Sequence, residues 1–298
     1  MAGIFGLFDF TKPGKGIDRD APEKHPFFLF FELLWRKLGR LIFLNFIYFI
    51  LILPLITAGY YCLYGVFMTV LESAGGDLSE LGASLLPSIL LNAAGSLPLW
   101  FSAALLVLSA ILYGPVSCGM SFMLRNFVRQ QHAWNSDFYD KFKQNFKQGL
   151  VLGLSDLTIL FLFFYNLTVT WFGAGADVGG LMTVVRYATV AALLIYLFMR
   201  HYFFVMTVTF ELNIRQIIKN AWVFSVLGLW RNILALVINA VLFASMLIVP
   251  FFLPIYELIM APIILFSLTG FVSMFLIYPV LKKYMIDPQT AATAEEGE

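Results

Sequence analysis

The chain has 298 residues, 60% of them hydrophobic and only 12% charged, with 32 Phe and a mean hydropathy of +0.85, a composition far from that of a soluble globular domain. A formal net charge of +1 excludes a global electrostatic pull toward nucleic acid or an acidic substrate. Charge-free runs of 24 to 44 residues exclude a closed β-barrel, whose strands alternate over short segments, and leave helices as the way to satisfy a backbone in lipid. The fold class predicted is all-α: a polytopic membrane helical bundle.

In chain order, the first 40 residues mix both signs of charge and lack a basic-then-apolar leader with a small-residue cleavage site, so no signal peptide is expected. The stretch "PFFLFFELLWRKLGRLIF" predicts an amphipathic elbow helix ahead of the first span. Spans follow at approximately 41–71, 97–124, 149–174, 181–210, 232–254 and 257–281, each reaching the roughly 20 residues that a bilayer requires. They form one transmembrane domain, 1–283, and residues 284–298 with their acidic end "AATAEEGE" form a flexible tail. Pro54 with Gly59, and Gly114-Pro115, mark kinks in spans one and two. Pro87, Gly95 and Pro98 break the first half of the 44-residue run after Glu80, so Leu85 to Gly95 reads as a short outer-face or re-entrant helix. With six spans, 18 of the 19 Lys and Arg fall on one side and Arg186 alone on the other, which by the positive-inside rule puts both termini in the cytoplasm.

Two further elbows are expected on that side. In "DFYDKFKQNFKQGLVLGL", Phe138, Phe142 and Phe146 recur every four residues, a stripe suited to the membrane surface, while Lys141, Gln144 and Gln148 face water. Asn135 or Ser136 caps this helix, Asp137 and Asp140 sit at its positive end, and Lys143 and Lys147 lie toward its negative end. In "NIRQIIKNAWVFSVLGLW", Ile214, Ile217, Ile218, Ala221 and Trp222 share one face and Arg215 and Lys219 the other. All three elbows run into a Leu-Gly pair, and a shift of 75 residues brings Asn145 onto Asn220, which suggests three copies of an elbow-plus-hairpin unit.

Gly149-Leu-Val-Leu-Gly153 is a small-xxx-small pair, expected to pack within the bundle in preference to a dimer face. Cys62 and Cys118 read as buried packing residues. Asp156 lies nine residues past Lys147, and Arg200 eleven before Glu211, placing each roughly 13 to 17 Å from its nearest interfacial charge. On sequential antiparallel spans these depths match, so Asp156 is expected to pair with Arg200 or His201, as a packing lock or as part of a transport path. No HExxH or GxxxxGK motif is present, and His25, His132 and His201 are not spaced as metal ligands; neither an enzyme nor a cofactor or metal site is expected. Asn166-Leu-Thr168 matches a glycosylation triplet but falls inside a span.

Gly6-Leu7-Phe8-Asp9, Leu53-Pro54 with Thr57 and Gly59, and the segment from Arg125-Asn126-Phe127 to Lys147-Gln148 resemble the YesL family of bacterial integral membrane proteins, a domain of unknown function. The two blocks that hold them, Gly3 to Gly59 and Tyr113 to Gly149, cover about the first half of the chain. The resemblance implies a bacterial cytoplasmic (inner) membrane and association with carbohydrate importers of the ATP-binding cassette type, and it carries over no catalytic residue. The function expected is an accessory or regulatory subunit of such an importer, its partners being the lipid bilayer and a permease, ATPase or sugar-binding lipoprotein. Those partners would meet the elbows at Phe138, Lys141, Phe142, Lys143, Lys147, Arg215 and Lys219. One alternative is a stand-alone transporter or lipid-handling protein whose site combines Asp156, Arg200 and His201 with the Pro54 and Pro115 kinks. Another is a structural scaffold, favoured if Asp156 and Arg200 prove fully buried against each other.

Overall fold

The computed structural model describes residues 25–73, 98–172, 180–253 and 255–288. The expected helix at Leu85 to Gly95, the Gly6 to Asp9 block and the "AATAEEGE" end lie outside them, as does the side chain of Cys62. The described residues fall in two compact units, one within Met1–Arg36 and one within Lys37–Glu298.

All regular structure among the described residues is helical. In chain order come α1 (Pro26–Ser73), α2 (Leu99–Val128), α3 (Asn135–Gln144), α4 (Phe146–Phe172), α5 (Gly180–Thr209), α6 (Ile214–Leu227), α7 (Leu229–Ile248), a 3-10 turn (Val249–Phe251), α8 (Ile255–Met260), a π-helical turn (Ala261–Leu265), α9 (Phe266–Leu281) and a second π turn (Lys282–Ile286). Six helical stretches are long and apolar enough to cross a membrane: Pro26–Gly59, Trp100–Val128, Phe146–Trp171, Gly180–Thr209, Leu229–Ile248 and Leu258–Ile286. Large apolar side chains such as Phe161, Leu162 and Tyr165 on α4 point outward, an arrangement that water would penalise and lipid accepts.

Several expected boundaries move. The elbow before span one does not separate from it, because α1 runs unbroken from Pro26 through Leu38-Gly39 to Ser73. Polar residues in this stretch leave the helix intact: Arg40 donates to the Ala133 carbonyl at 3.3 Å, and Lys37 lies 5.6 Å over the Phe127 ring. Helical geometry continues past residue 284 to Ile286. Span six is a composite, α8 and α9 joined by the Ala261–Leu265 π turn.

That turn shifts the carbonyls of Ala261 and Pro262 out of an ordinary ladder, and a fully buried Asn45 on α1 meets them. Asn45 Nδ2 donates to both oxygens at 2.9 and 2.8 Å, and its Oδ1 accepts from Ser267 N at 2.9 Å. Replacing Asn45 by Leu removes all three bonds and is expected to cost about 1–3 kcal/mol. The unfolding midpoint in detergent reads this against Asn239→Leu, which loses the single bond to Ser273 and is expected to cost about 0.6 kcal/mol.

α2 and α4 form the tightest contact. A Cβ at Gly114 would overlap the Gly149 carbonyl oxygen, and one at Gly153 would come 2.5 Å from Gly114 Cα. Gly149 also faces Pro115 and the buried Cys118. The small-xxx-small pair thus packs within the bundle, as its spacing suggests.

α3 does not lie with its phenylalanines on the membrane surface. Phe138 is 2% exposed and fills the slot opened by Gly119, where a Cβ would meet the ring at 2.9 Å; Phe142 stacks edge-on against Phe146 at 5.7 Å. Neither Asn135 nor Ser136 caps α3. Asp137 does so from inside, its Oδ2 accepting from Trp134 N at 2.8 Å, and Gln216 closes α6 likewise on Asn213 N at 2.9 Å. Aligning these caps pairs Asp137 with Gln216 and the buried Phe138 with the buried Ile217, so the register relating α3 to α6 differs from the expected Asn145-to-Asn220 match. On α6, Ile217, Ala221 and Phe224 are buried, whereas Ile218 and Trp222 face outward.

Candidate functional site

α4 and α5 are antiparallel neighbours: Asp156 faces Arg200, Phe163 faces Tyr196, and Asn166 accepts from Thr189 at 3.1 Å. The last contact gives Asn166 a partner inside the bundle. The expected pair is formed by Arg200, whose Nε donates to Asp156 Oδ1 at 3.0 Å and Oδ2 at 2.9 Å. His201 makes no hydrogen bond to Asp156.

Two tyrosines complete the carboxylate's shell. Tyr113 Oη on α2 donates to Oδ2 and Tyr196 Oη on α5 to Oδ1, each at 2.7 Å. Arg200 Nη2 in turn donates to Tyr113 Oη. Three spans therefore converge on one buried carboxylate, and each oxygen has two donors, which offsets much of the desolvation that burying the charge incurs. The pair is unevenly enclosed: the Asp156 side chain is 0% exposed and that of Arg200 38%. The guanidinium is the open half.

It opens on a cavity of about 480 Å³. All six spans contribute to its wall, among them Tyr48 of α1, Ser117 and Ser121 of α2, Arg200 and His201 of α5, Asn239 of α7, and Thr269 and Ser273 of α9. Leu, Ile and Phe side chains make up most of the rest. An apolar chamber with a few convergent polar groups is the usual form of a small-molecule site. Pro54 and Pro115 are not in the wall; their neighbours Leu55, Ile56, Tyr113 and Ser117 are, and Pro115 is occupied in the α2–α4 contact.

The elbow residues stand apart from this chamber. Lys143, Lys147, Arg215 and Lys219 are exposed, and Lys141 turns over the Phe122 ring at 5.3 Å. The two elbows lie at the same end of the bundle, since Gln148 Nε2 donates to the Leu212 carbonyl at 2.6 Å.

Reading charges alone finds Asp156 and Arg200 and misses Tyr113 and Tyr196. A signal for the latter exists: Tyr196 lies four residues before Arg200, on the same helical face. Tyr113 carries none of that kind, because its place depends on the glycines that draw α2 against α4. Among the described residues, no group of three or more His, Cys, Asp or Glu is placed to hold a metal.

No curated protein and no solved structure matches the chain. Residues 97–167, which hold Tyr113, Gly114, Gly149, Gly153 and Asp156, match the family described as "Protein of unknown function, DUF624". The YesL family is itself a DUF624 family, so match and resemblance agree over residues 97–167.

Proposed function

We propose that this chain binds a small polar solute inside the membrane, in the chamber beside Arg200, and acts as a stand-alone transporter or solute-handling membrane protein. The observation that carries this reading is the uneven burial of the central pair: a sealed Asp156, and an Arg200 that presents donors to a cavity of about 480 Å³. A scaffold would enclose both partners. The volume lies within the roughly 300–1,000 Å³ range of small-molecule sites.

Ser121 lines the chamber and has no hydrogen-bond partner among the described residues, so a larger side chain there fills space without breaking a bond. Ser121→Phe is expected to abolish the thermal stabilisation that the purified protein gains from its preferred solute in a panel of polyols, mono- and disaccharides and small carboxylates. Without solute its unfolding temperature should stay within about 4 °C of wild type. Equal stabilisation of wild type and Ser121→Phe by every compound in the panel overturns the reading.

A second reading, the accessory subunit of a carbohydrate importer, is supported by the exposed Lys143, Lys147, Arg215 and Lys219 on two elbows at one end of the bundle. It predicts that a gentle-detergent pull-down from the native membrane recovers a permease, ATPase or sugar-binding lipoprotein. Changing these four residues to Gln should then abolish that recovery while leaving Ser121 and the chamber untouched.

A further inference from the structure

A second polar cavity, of about 350 Å³, lies where the C-terminal ends of α2 and α5 meet α3, and Arg125, Arg129, Lys141 and Thr209 all line it. Arg125 is 8% exposed, yet among the described residues no carboxylate forms an ion pair with it. Its Nη1 donates to the Val208 carbonyl at 3.2 Å and to Thr209 Oγ1 at 2.8 Å. The Nε–Nη2 edge, the fork with which guanidinium grips an oxyanion, is poorly used. Nη2 makes one long bond, 3.4 Å, to Asn126 Oδ1, and Nε is enclosed with no hydrogen-bond partner among the described residues.

The charged residues among those lining the cavity are Arg125, Arg129 and Lys141, all cations. Arg129 follows one turn later on the same helical face, a like-charge spacing that repels. Lys141 Nζ donates to the neutral Gln144 Oε1 at 2.6 Å, and Lys141 and Arg125 both lie over the Phe122 ring, at 5.3 and 4.8 Å. No ion pair among the described residues involves Arg125, Arg129 or Lys141. Three cations around one cavity, one of them buried with its Nε unpartnered among the described residues, form an incomplete electrostatic arrangement that a tetrahedral oxyanion completes.

We propose that this cavity is a phosphate-binding site, occupied by the phosphate of an anionic lipid headgroup or of a soluble phosphate ester. Its position at the ends of α2 and α5 puts it at headgroup depth, within reach of both. Arg125 supplies a buried guanidinium charge, Arg129 and Lys141 hold the outer oxygens, and Thr209 positions Arg125 by accepting from its Nη1 at 2.8 Å. None of these residues lines the solute chamber, so this site and the chamber reading stand or fall separately.

The test uses the full chain in two kinds of nanodisc, one of phosphatidylcholine alone and one with phosphatidylglycerol added, with glycerol 3-phosphate as the soluble probe. Retained lipid is counted by native mass spectrometry, and binding of the soluble probe is followed by thermal stabilisation. The wild type should prefer phosphatidylglycerol or bind glycerol 3-phosphate, and the double variant Arg129→Gln, Lys141→Gln should weaken that binding by about tenfold or more. Both substitutions are at the rim, so the fold survives in a way that Arg125→Gln does not guarantee. Arg215→Gln with Lys219→Gln, an equal loss of charge on the other elbow, should change nothing. Retention of phosphatidylglycerol without binding of glycerol 3-phosphate assigns the site to lipid, and the reverse assigns it to a soluble ester. Binding of neither, or equal binding by wild type and the double variant, overturns the proposal.

Discussion

Asp156→Ala is expected to lower the stability of the folded chain by about 3–5 kcal/mol, the typical cost of breaking a buried ion pair from one side. The magnitude follows from what remains. Arg200 keeps its charge within the span with its carboxylate partner gone, and Tyr113 and Tyr196 both lose the acceptor that each holds at 2.7 Å. Removing both charges, as in Asp156→Leu with Arg200→Leu, should restore most of the loss, because an apolar pair of similar bulk no longer demands compensation. Solute binding should not return in this double variant, since the open guanidinium is what the chamber presents. The two measurements, unfolding midpoint in detergent and solute-induced stabilisation, therefore separate what the pair does for folding from what it does for binding. If the double variant were as unstable as Asp156→Ala, the main contribution would be the tyrosine hydroxyl bonds and the ion pair would be secondary.

Gly114→Val should be the other severe substitution. The first atom of any side chain at this position would occupy the site of the Gly149 carbonyl oxygen, and backbone cannot be re-rotamered as a side chain can. The helices must separate or slide, with an expected loss of about 3 kcal/mol or more, at the upper end of what overpacking costs. Gly59→Val is the matched control, because nothing lies within 4 Å of a Cβ there. Its change should stay within about 1 kcal/mol. Separation of α2 from α4 also carries Tyr113 away from Asp156, so Gly114→Val should weaken solute stabilisation in whatever fraction remains folded.

What the sequence made legible was whatever apolar length and depth determine. Six spans follow from long apolar runs, four of them free of charge and two carrying Asp156 or Arg200, because a bilayer imposes one minimum length on all of them. The Asp156–Arg200 pair follows from counting residues inward from interfacial charges on neighbouring helices. Helical periodicity says which residues share a face but not what the face meets. The Phe138 stripe reads equally well as lipid-facing, and only Gly119, nineteen positions earlier, opens the slot that buries it. A lone Asn45 in an apolar run gives no sign of the backbone it clamps, because the π turn it serves lies more than two hundred residues away. The unbroken α1 defeats a boundary drawn from polarity, since a helix backbone tolerates Arg36, Lys37 and Arg40 whenever their heads find partners such as Ala133 and Phe127.

The closed shell around Asp156 has an electrical consequence. With Arg200 bound through Nε to both carboxylate oxygens, the pair is neutral as a unit and meets the chamber as an oriented dipole. A rearrangement that moves both partners together through the transmembrane field does almost no electrical work, whereas displacing either one alone would cost about 2.3 kcal/mol per 100 mV for a full crossing. Movements of the chamber wall that keep the pair intact are thus decoupled from membrane voltage, and any voltage dependence in solute handling would come from the charge of the solute.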